Sequence, residues 1–273
     1  MKWGKITLIF LLSSFTCLSQ EVCNNGIDDD GDGHIDLNDS DCICNATMSS
    51  NITSSYIPNA SFEDYNYCPT QASQLNYSAG WTQCTNTTVD YMNTCGYVAG
   101  GVSEAGLLPF PDGNAIAGAI FSNDWREYIG TELTTTMEAG KSYQLTFSIA
   151  SIPVNGDGDL CNNGIINYSP LNITIFGSST TGAMPVNTIG SPTDNPAWTA
   201  IGSATYQPSA QWGQLTITFT PSTNVNAIVL GAPDVLPSSY SNNSCYPYFL
   251  FDELVLHEAP ASVVNITANG SFC

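Results

Sequence analysis

The residues best suited to chemistry lie near the N-terminus, in the segment 23–42, which reads CNNGIDDDGDGHIDLNDSDC. Aspartates stand at alternate positions, a glycine follows, and further aspartates complete a spacing like that of an EF-hand loop. Ca²⁺ takes about six to eight oxygen ligands, and one of them in this pattern is a backbone carbonyl, here that of His34. The spacing therefore predicts a calcium site with the ligands Asp28, Asp30, Asp32, His34, Asp36, Asp39 and Asp41.

A solvated acidic linker is the alternative interpretation of this segment, but acidity alone does not supply the spacing, Gly33 and the flanking cysteines together. No amphipathic helix flanks the segment, and Asp39 stands where an EF-hand has glutamate. The segment resembles instead the Asp-rich repeats of the thrombospondin type 3 kind, and the single CxNGxDDDxDGxxD cassette of secreted bacterial proteins. That resemblance implies a small spacer made rigid by calcium and closed by Cys23 and Cys42.

The charge balance restricts the partners of the chain. Of 273 residues, 24 are acidic and 4 are lysine or arginine, which gives a formal net charge of -20. Lys2 and Lys5 lie at the start, so Arg126 and Lys141 are the basic residues of the rest. Nothing here could neutralise a phosphate backbone or an anionic membrane surface, and nucleic acid and such membranes are excluded as partners.

The first 19 residues have the order of a secretory signal peptide: a basic start, an apolar run and a stretch of small residues before Gln20. The apolar run is too short to span a membrane. Lipidation at Cys17 is a weaker alternative, because Phe15 and Thr16 are poor residues to precede a lipidated cysteine. We expect a secreted or cell-surface bacterial protein that is not inserted in the membrane after cleavage.

Cysteine usage agrees with export. Removing the signal peptide leaves nine of the ten cysteines, which should mostly pair in an oxidising compartment. The odd number leaves one over, and Cys273, the last residue, is the natural candidate. The lack of any CxxC pair and the separation of the two histidines argue against zinc. The cysteines expected in disulfides are Cys23, Cys42, Cys68, Cys95, Cys161 and Cys245.

Composition divides the mature chain into an Asp- and Cys-rich segment (21–44), a Ser/Thr/Asn linker (45–53), a main domain (54–258) and a tail (259–273). The tail contains proline and then a strand-like run, Val263–Thr267, which predicts the start of a further domain. We expect the chain to continue into a larger multidomain surface protein.

The main domain shows repeated strand periodicity. Apolar and polar residues alternate over Tyr143–Ile149, Leu171–Ile175 and Leu215–Phe219, and Phe249–Leu256 is a more apolar strand. Turn residues separate these runs, and no stretch has a convincing helical stripe. An all-β sandwich follows.

The order of several motifs resembles jelly-roll carbohydrate-binding modules and galactose-binding-like domains of secreted bacterial surface proteins. Tyr56–Glu63 looks like their first strand and Tyr248–Leu256 like their closing strand; Trp125–Ile129 and Pro111–Asn114 add to the match. The resemblance implies a jelly-roll β-sandwich over most of 54–258, with a structural calcium shared by Glu63 and Asp252. The alternative is that both acids face solvent.

Sugar recognition needs aromatic rings that stack on pyranose faces. The candidates in or beside predicted loops are Trp81, Tyr91, Trp125, Trp198 and Tyr240, although core packing is the commoner use of each residue type. No Ser-His-Asp pattern, GxSxG, HExxH or phosphate-binding glycine loop occurs, so we expect no enzyme activity.

These expectations combine into a secreted, calcium-stabilised binding or adhesion module with an extracellular glycan as the favoured partner. A structural segment of a larger surface protein without its own ligand is the main alternative. A polysaccharide hydrolase, which needs only two carboxylates, is the third.

Overall fold

The computed structural model describes residues 27, 31, 55–186, 188–241 and 244–259. The predicted signal peptide, the linker 45–53 and the tail beyond Ala259 lie outside the described residues. The seven predicted calcium ligands of segment 23–42 also lie outside them, as do Cys23 and Cys42.

Strands dominate the described residues. One short helix, α1, spans Gly100–Glu104, and single 3-10 turns occur at Leu75–Tyr77, Asn162–Gly164, Pro192–Asp194 and Ser238–Tyr240. Within the described ranges, no helix has the length and apolar character needed to cross a membrane. The strands are β1 (Trp81–Gln83), β2 (Asp90–Asn93), β3 (Ala115–Ile120), β4 (Tyr128–Met137), β5 (Tyr143–Val154), β6 (Leu171–Ser178), β7 (Thr199–Tyr206), β8 (Gly213–Phe219), β9 (Val225–Gly231) and β10 (Tyr246–Glu258).

The strands form two antiparallel sheets of five. The first sheet has the order β1-β4-β9-β6-β7 and the second β2-β3-β10-β5-β8. From β3 onward the pairs are nested: β6 pairs with β7, β5 with β8, β4 with β9 and β3 with β10. A long hairpin rolled up in this way is a jelly roll, so the predicted all-β jelly-roll sandwich is confirmed.

The main core lies between the two sheets. Alternate residues of each strand point inward, so that Phe147 and Phe251 of the second sheet share one apolar cluster with Phe176 of the first. Phe121 stacks on Phe249 with ring centroids 4.4 Å apart. Large buried rings therefore fill the space between the sheets.

A second apolar cluster covers the outer face of the second sheet. Val102 of α1 and the following Leu107 and Phe110 belong to it, together with Ile152 of β5 and Leu250 of β10. The last part of β5 and the first part of β10 are therefore buried on both faces. This double burial explains why both segments read as almost uninterrupted apolar runs.

The predicted strands at Tyr143–Ile149, Leu171–Ile175, Leu215–Phe219 and Phe249–Leu256 are confirmed, since they lie in β5, β6, β8 and β10. The predicted first strand at Tyr56–Glu63 is wrong.

Residues 56–63 form bends and turns instead of a strand. Asn59 and Phe62 have φ of 51° and 61°, a left-handed conformation that breaks an extended chain. The backbone N–H of Tyr56 donates to the Leu256 carbonyl at 2.8 Å, and its carbonyl accepts from the Thr134 N–H at 2.9 Å. This segment therefore links β10 of one sheet to β4 of the other and pairs with neither along its length.

Two disulfides join loops of the sandwich, Cys68–Cys95 and Cys161–Cys245. Cys84 is a free thiol, which corrects the expectation that Cys273 alone stays unpaired. Cys84 is fully buried and its Sγ lies against Gly130, in an apolar site where burial raises the thiol pKa. Cys273 lies outside the described residues.

Candidate functional site

A cleft opens on the outer face of the second sheet, at the end where β2 and β10 begin and β3 and β5 end. It consists of two adjoining cavities of about 160 and 310 Å³, which share Thr88, Ile120 and Gly156 in their linings. Aromatic rings and carboxylates supply its most distinctive groups: Asp90, Tyr97, Trp125, Glu127, Tyr246 and Tyr248.

Tyr248 lies across the strands at the base of the cleft. A side chain on Gly118 of β3 would place its Cβ 2.1 Å from the Tyr248 hydroxyl oxygen, so glycine is needed for this ring to pass. The hydroxyl group reaches β2 and donates to Oδ2 of Asp90 at 2.6 Å. The backbone N–H of Ser73 donates to Oδ1 of Asp90 at 2.6 Å. Burial nevertheless raises the pKa of Asp90 above its ordinary value.

Glu127 lies in the connection between β3 and β4 and is only 1% exposed. Its Oε2 accepts a hydrogen bond from the Ile120 backbone N–H at 2.6 Å. Its Oε1 accepts from the Trp125 indole N–H at 2.9 Å and from the backbone N–H and hydroxyl of Thr88, both at 3.2 Å. Burial, and then the charge of Asp90, raise the pKa of Glu127 to about 8.

No basic side chain lines either cavity of the cleft as the structure describes it. Arg126, the neighbour of Glu127 in sequence, points elsewhere and donates to the carbonyl groups of Pro233 and Asp234. The carboxylates of the cleft are therefore held by neutral donors alone.

The aromatic residues make the cleft suitable for a sugar. Trp125 is 38% exposed, and Tyr97 and Tyr246 are half-buried, so each ring has accessible surface. Such rings stack on the apolar faces of pyranoses, and carboxylates accept hydrogen bonds from sugar hydroxyls.

A larger and more open depression of about 500 Å³ lies beside Arg126. Its lining is polar apart from Ile189, and it includes Asp194 and Asp234, whose carboxylates accept hydrogen bonds from nearby threonine hydroxyls. None of the side chains that line it is aromatic. It offers no stacking surface, and the cleft is the better candidate for sugar binding.

Glu63 and Asp252, the two acids expected to share calcium, both accept hydrogen bonds from the backbone of the loop 112–115. Oε1 of Glu63 accepts hydrogen bonds from the backbone N–H groups of Asn114 and Ala115, both at 2.7 Å. Oδ2 of Asp252 accepts from the N–H of Asp112 at 2.9 Å. Asp252 is completely buried, and burial raises its pKa to about 7 despite this bond and that from its neighbour Glu253.

The Glu63 and Asp252 carboxylates supply some of the oxygen ligands that a calcium ion needs. A fully buried carboxylate without a basic partner is a suitable anionic ligand for a hard cation. Within the described ranges, no three side chains of His, Cys, Asp or Glu form a group that could hold a metal ion. A cation held by Glu63 and Asp252 would therefore take its remaining ligands from carbonyl groups or water.

Comparison with known proteins found matches among solved structures alone. No family model and no curated protein matches the chain. The N-terminal cellulose-binding domain of β-1,4-glucanase C from Cellulomonas fimi is 9% identical, with a TM-score of 0.38, over 77% of this chain and 100% of that one. The CBM22-1 xylan-binding domain of Xyn10C from Paenibacillus barcinonensis is 12% identical, with a TM-score of 0.39, over 74% of this chain and 94% of that one.

The CBM22-1–GH10 modules of endo-1,4-β-D-xylanase 10B from Clostridium thermocellum, solved with xylohexaose, are 11% identical with a TM-score of 0.40. The alignment covers 76% of this chain and 29% of the xylanase chain.

The structure places the five aromatic residues predicted to bind sugar in two different environments. Trp125 lines the cleft and is partly exposed. The other four are at most 4% exposed, and a ring enclosed by the core has no face to offer a ligand. The prediction is therefore corrected for these residues: Trp81, Tyr91, Trp198 and Tyr240.

Sequence reasoning missed most of the cleft. Asp90 stands next to the predicted Tyr91, but alternation along β2 points Tyr91 inward and Asp90 outward. Tyr246 and Tyr248 belong to the closing strand. Because that strand is apolar at nearly every position, its sequence does not show which residues face outward. Glu127 had a signal that could have been used, since it lies between Trp125 and β4 within a motif already noted.

Proposed function

We propose that this chain is a non-catalytic carbohydrate-binding module whose ligand lies in the cleft on the second sheet. The observation that carries the proposal is the combination of the exposed Trp125 ring with buried carboxylates and tyrosines at one end of a rigid sheet.

The environment of Glu127 argues against hydrolysis, the third candidate function. A glycosidase needs one carboxyl group that can donate a proton to the leaving oxygen. Both oxygens of Glu127 accept hydrogen bonds from N–H or O–H groups of the protein, an arrangement suited to a carboxylate. Glu127 is also only 1% exposed, so its carboxyl group is not accessible to a glycosidic oxygen.

The proposal is tested by glycan-array screening followed by titration calorimetry with the best ligand. Xylohexaose, β-1,4-galactotriose and cello-oligosaccharides belong in the panel. We expect Trp125→Ala to weaken binding by roughly tenfold or more, because it removes the most exposed stacking ring.

Tyr67→Ala is the matched control for this titration. Tyr67 is 67% exposed and lies outside the linings of both cavities. Its substitution should leave affinity unchanged. A uniformly blank array would favour the structural-segment alternative, and equal losses in both variants would place the ligand elsewhere.

Export and calcium binding complete the proposal. The Cys68–Cys95 and Cys161–Cys245 disulfides favour an oxidising compartment such as the cell exterior. The buried Asp252 carboxylate has no basic partner among the described residues, which favours a structural cation at Glu63 and Asp252. Calcium in segment 23–42 rests on its spacing of aspartates.

A further inference from the structure

The lining of the cleft, as the structure describes it, has four acidic side chains and no basic one. Asp90 and Glu127 line its interior, and Asp124 and Asp157 line its more exposed parts. The described residues include three side chains that can carry positive charge, and all three lie elsewhere. Arg126 donates to backbone carbonyls near Asp234, Lys141 pairs with Glu138 and Glu258, and His257 lies near the far end of β10.

The two interior carboxylates have donors but no counter-charge. Glu127 accepts four hydrogen bonds and Asp90 accepts two, all from amide, indole or hydroxyl groups. Neutral donors offset part of the cost of burying charge, and a cation offsets more. Burial raises the pKa of both groups, and the charge of Asp90 adds to the increase at Glu127.

The rings around these carboxylates suit a cation as well as a sugar. The half-buried Tyr97 lines one cavity of the cleft, and the half-buried Tyr246 lines the other together with Trp125. Aromatic faces attract ammonium groups through the ring quadrupole, and the attraction is strongest where water is excluded. A ligand with an apolar sugar face and an ammonium group would use both the rings and the carboxylates.

We propose that the cleft selects a glycan that carries primary ammonium groups, such as a deacetylated β-1,4-linked amino-sugar polymer, and that Asp90 pairs with one of them. This inference rests on the proposed function, because it specifies the ligand class of the same cleft. Asp90 is the partner because it is half-buried, whereas Glu127 is almost fully enclosed by its four donors. Uronate and sulfate groups would be repelled by Asp90 and by the exposed Asp124 and Asp157.

Three β-1,4-linked hexasaccharides that differ only at C2 provide the test: cellohexaose with a hydroxyl, the N-acetylglucosamine hexamer with a neutral amide, and the glucosamine hexamer with an ammonium group. Calorimetry near pH 6 and low salt should give the glucosamine hexamer roughly tenfold or higher affinity over cellohexaose. The preference should shrink as salt is raised, since screening weakens charge pairing.

Non-specific attraction must be separated from recognition, because a chain with net charge -20 attracts any polycation. Asp90→Asn and Asp64→Asn remove the same charge, and Asp64 is exposed and outside the cleft linings. We expect Asp90→Asn to bring the glucosamine and cellohexaose affinities within about twofold of each other. Asp64→Asn should keep the preference.

Two results would overturn the inference and leave the proposed function standing. One is equal or tighter binding of cellohexaose that is still lost in Trp125→Ala. The other is a glucosamine preference that Asp90→Asn and Asp64→Asn reduce equally. Absence of binding to these three hexasaccharides and to the whole glycan panel would remove the proposed function itself.

Discussion

Glu127 shows how a chain with few basic residues can bury a carboxylate. Four hydrogen bonds from Ile120, Trp125 and Thr88 take the place of a salt bridge, and they tie the β3–β4 connection to the start of β2. One of the four comes from the indole of Trp125, so the same carboxylate fixes the ring proposed to bind sugar. The acid therefore positions the binding surface even where it does not touch a ligand.

The raised pKa of Glu127 predicts how stability depends on pH. The pKa rises from 4.5 to about 8 on folding, so the folded state holds this proton more tightly than the unfolded state. The resulting stability is fully present below about pH 4.5 and is lost as pH rises to about 8. We expect the free energy of unfolding to fall by a few kcal/mol over this window, at up to about 1.4 kcal/mol per pH unit.

Glu127→Gln removes the titrating group and should flatten this decline, measured by denaturant unfolding at pH 5, 6, 7 and 8 in the presence of a chelator. Its absolute stability should also fall, because the new amide group opposes the Ile120 N–H. The exposed Glu104→Gln serves as control and should keep the wild-type slope. Equal slopes in all three proteins would contradict the assignment.

The sequence predicted the types of residue in the site better than it predicted the orientation of their side chains. Of the neighbours Asp90 and Tyr91, residue type favours Tyr91 as the sugar-binding residue, whereas Asp90 lines the cleft. Alternation along β2 does not reveal which side chains face the core, because both faces of the strand are apolar. Tyr91 is buried in the main core, and Met92 is buried in the second cluster on the opposite face. Trp125 was predicted and found at the cleft because its loop keeps part of the ring in solvent.

At the scale of elements, the second cluster distinguishes the two halves of β5 and β10. Strands buried on one face alternate in hydrophobicity, as Tyr143–Phe147 does, and strands buried on both faces do not. The strands were predictable because apolar residues bounded by turn residues mark a strand in the sequence, whether it is buried on one face or on both. The layer that covers them was not, since Gly100–Phe110 has neither a strand nor a helical pattern of useful length.

This double burial predicts a large cost for truncation on the outer face of β10. Leu250 is fully buried in the second cluster, and Leu250→Ala should lower the free energy of unfolding by about 2–5 kcal/mol. Val255 on the same strand is 40% exposed, and Val255→Ala should cost only about 0.5 kcal/mol or less. Denaturant unfolding of both variants measures the difference; a similar small loss in each would show that the cluster contributes little.

The segment Tyr56–Glu63 is predicted as the first strand but forms bends and turns. It nevertheless lies beside the closing strand, since the Tyr56 N–H donates to the Leu256 carbonyl and the Leu254 N–H donates to the Ala60 carbonyl. The positive φ values of Asn59 and Phe62 turn the chain between these contacts. Such conformations in non-glycine residues depend on tertiary contacts, and sequence pattern does not reveal them.

At the scale of the whole molecule, the net charge of -20 requires compensation. Within the described residues, Lys141 makes both of the ion pairs found, and both are exposed on their side chains. Exposed pairs contribute little to stability. Bound calcium is the compensation proposed here, at Glu63 and Asp252 and in segment 23–42.

Chelation should therefore lower the melting temperature, by about 2–4 °C for each kcal/mol of binding free energy lost. Differential scanning calorimetry with EDTA and with added Ca²⁺ measures the shift. Asp252→Asn should remove the part of the melting-temperature shift that comes from calcium bound to the sandwich. The double variant Asp30→Ala, Asp32→Ala should remove calcium binding in segment 23–42 while leaving the sandwich folded. Metal-free protein that melts at the same temperature in EDTA and in Ca²⁺ would refute calcium stabilisation.

The central claim, that a glycan binds in the cleft on the second sheet, is tested most directly by the indole N–H signals of the tryptophans in a ¹H–¹⁵N NMR titration. The Trp125 indole N–H donates to Glu127 inside the cleft, whereas those of Trp81 and Trp212 donate to backbone carbonyls outside it. With the tightest-binding glycan, the account predicts that the Trp125 signal, assigned with Trp125→Phe, shifts progressively to saturation while the Trp81 and Trp212 signals stay in place. Saturable binding that leaves the Trp125 signal unmoved would contradict it.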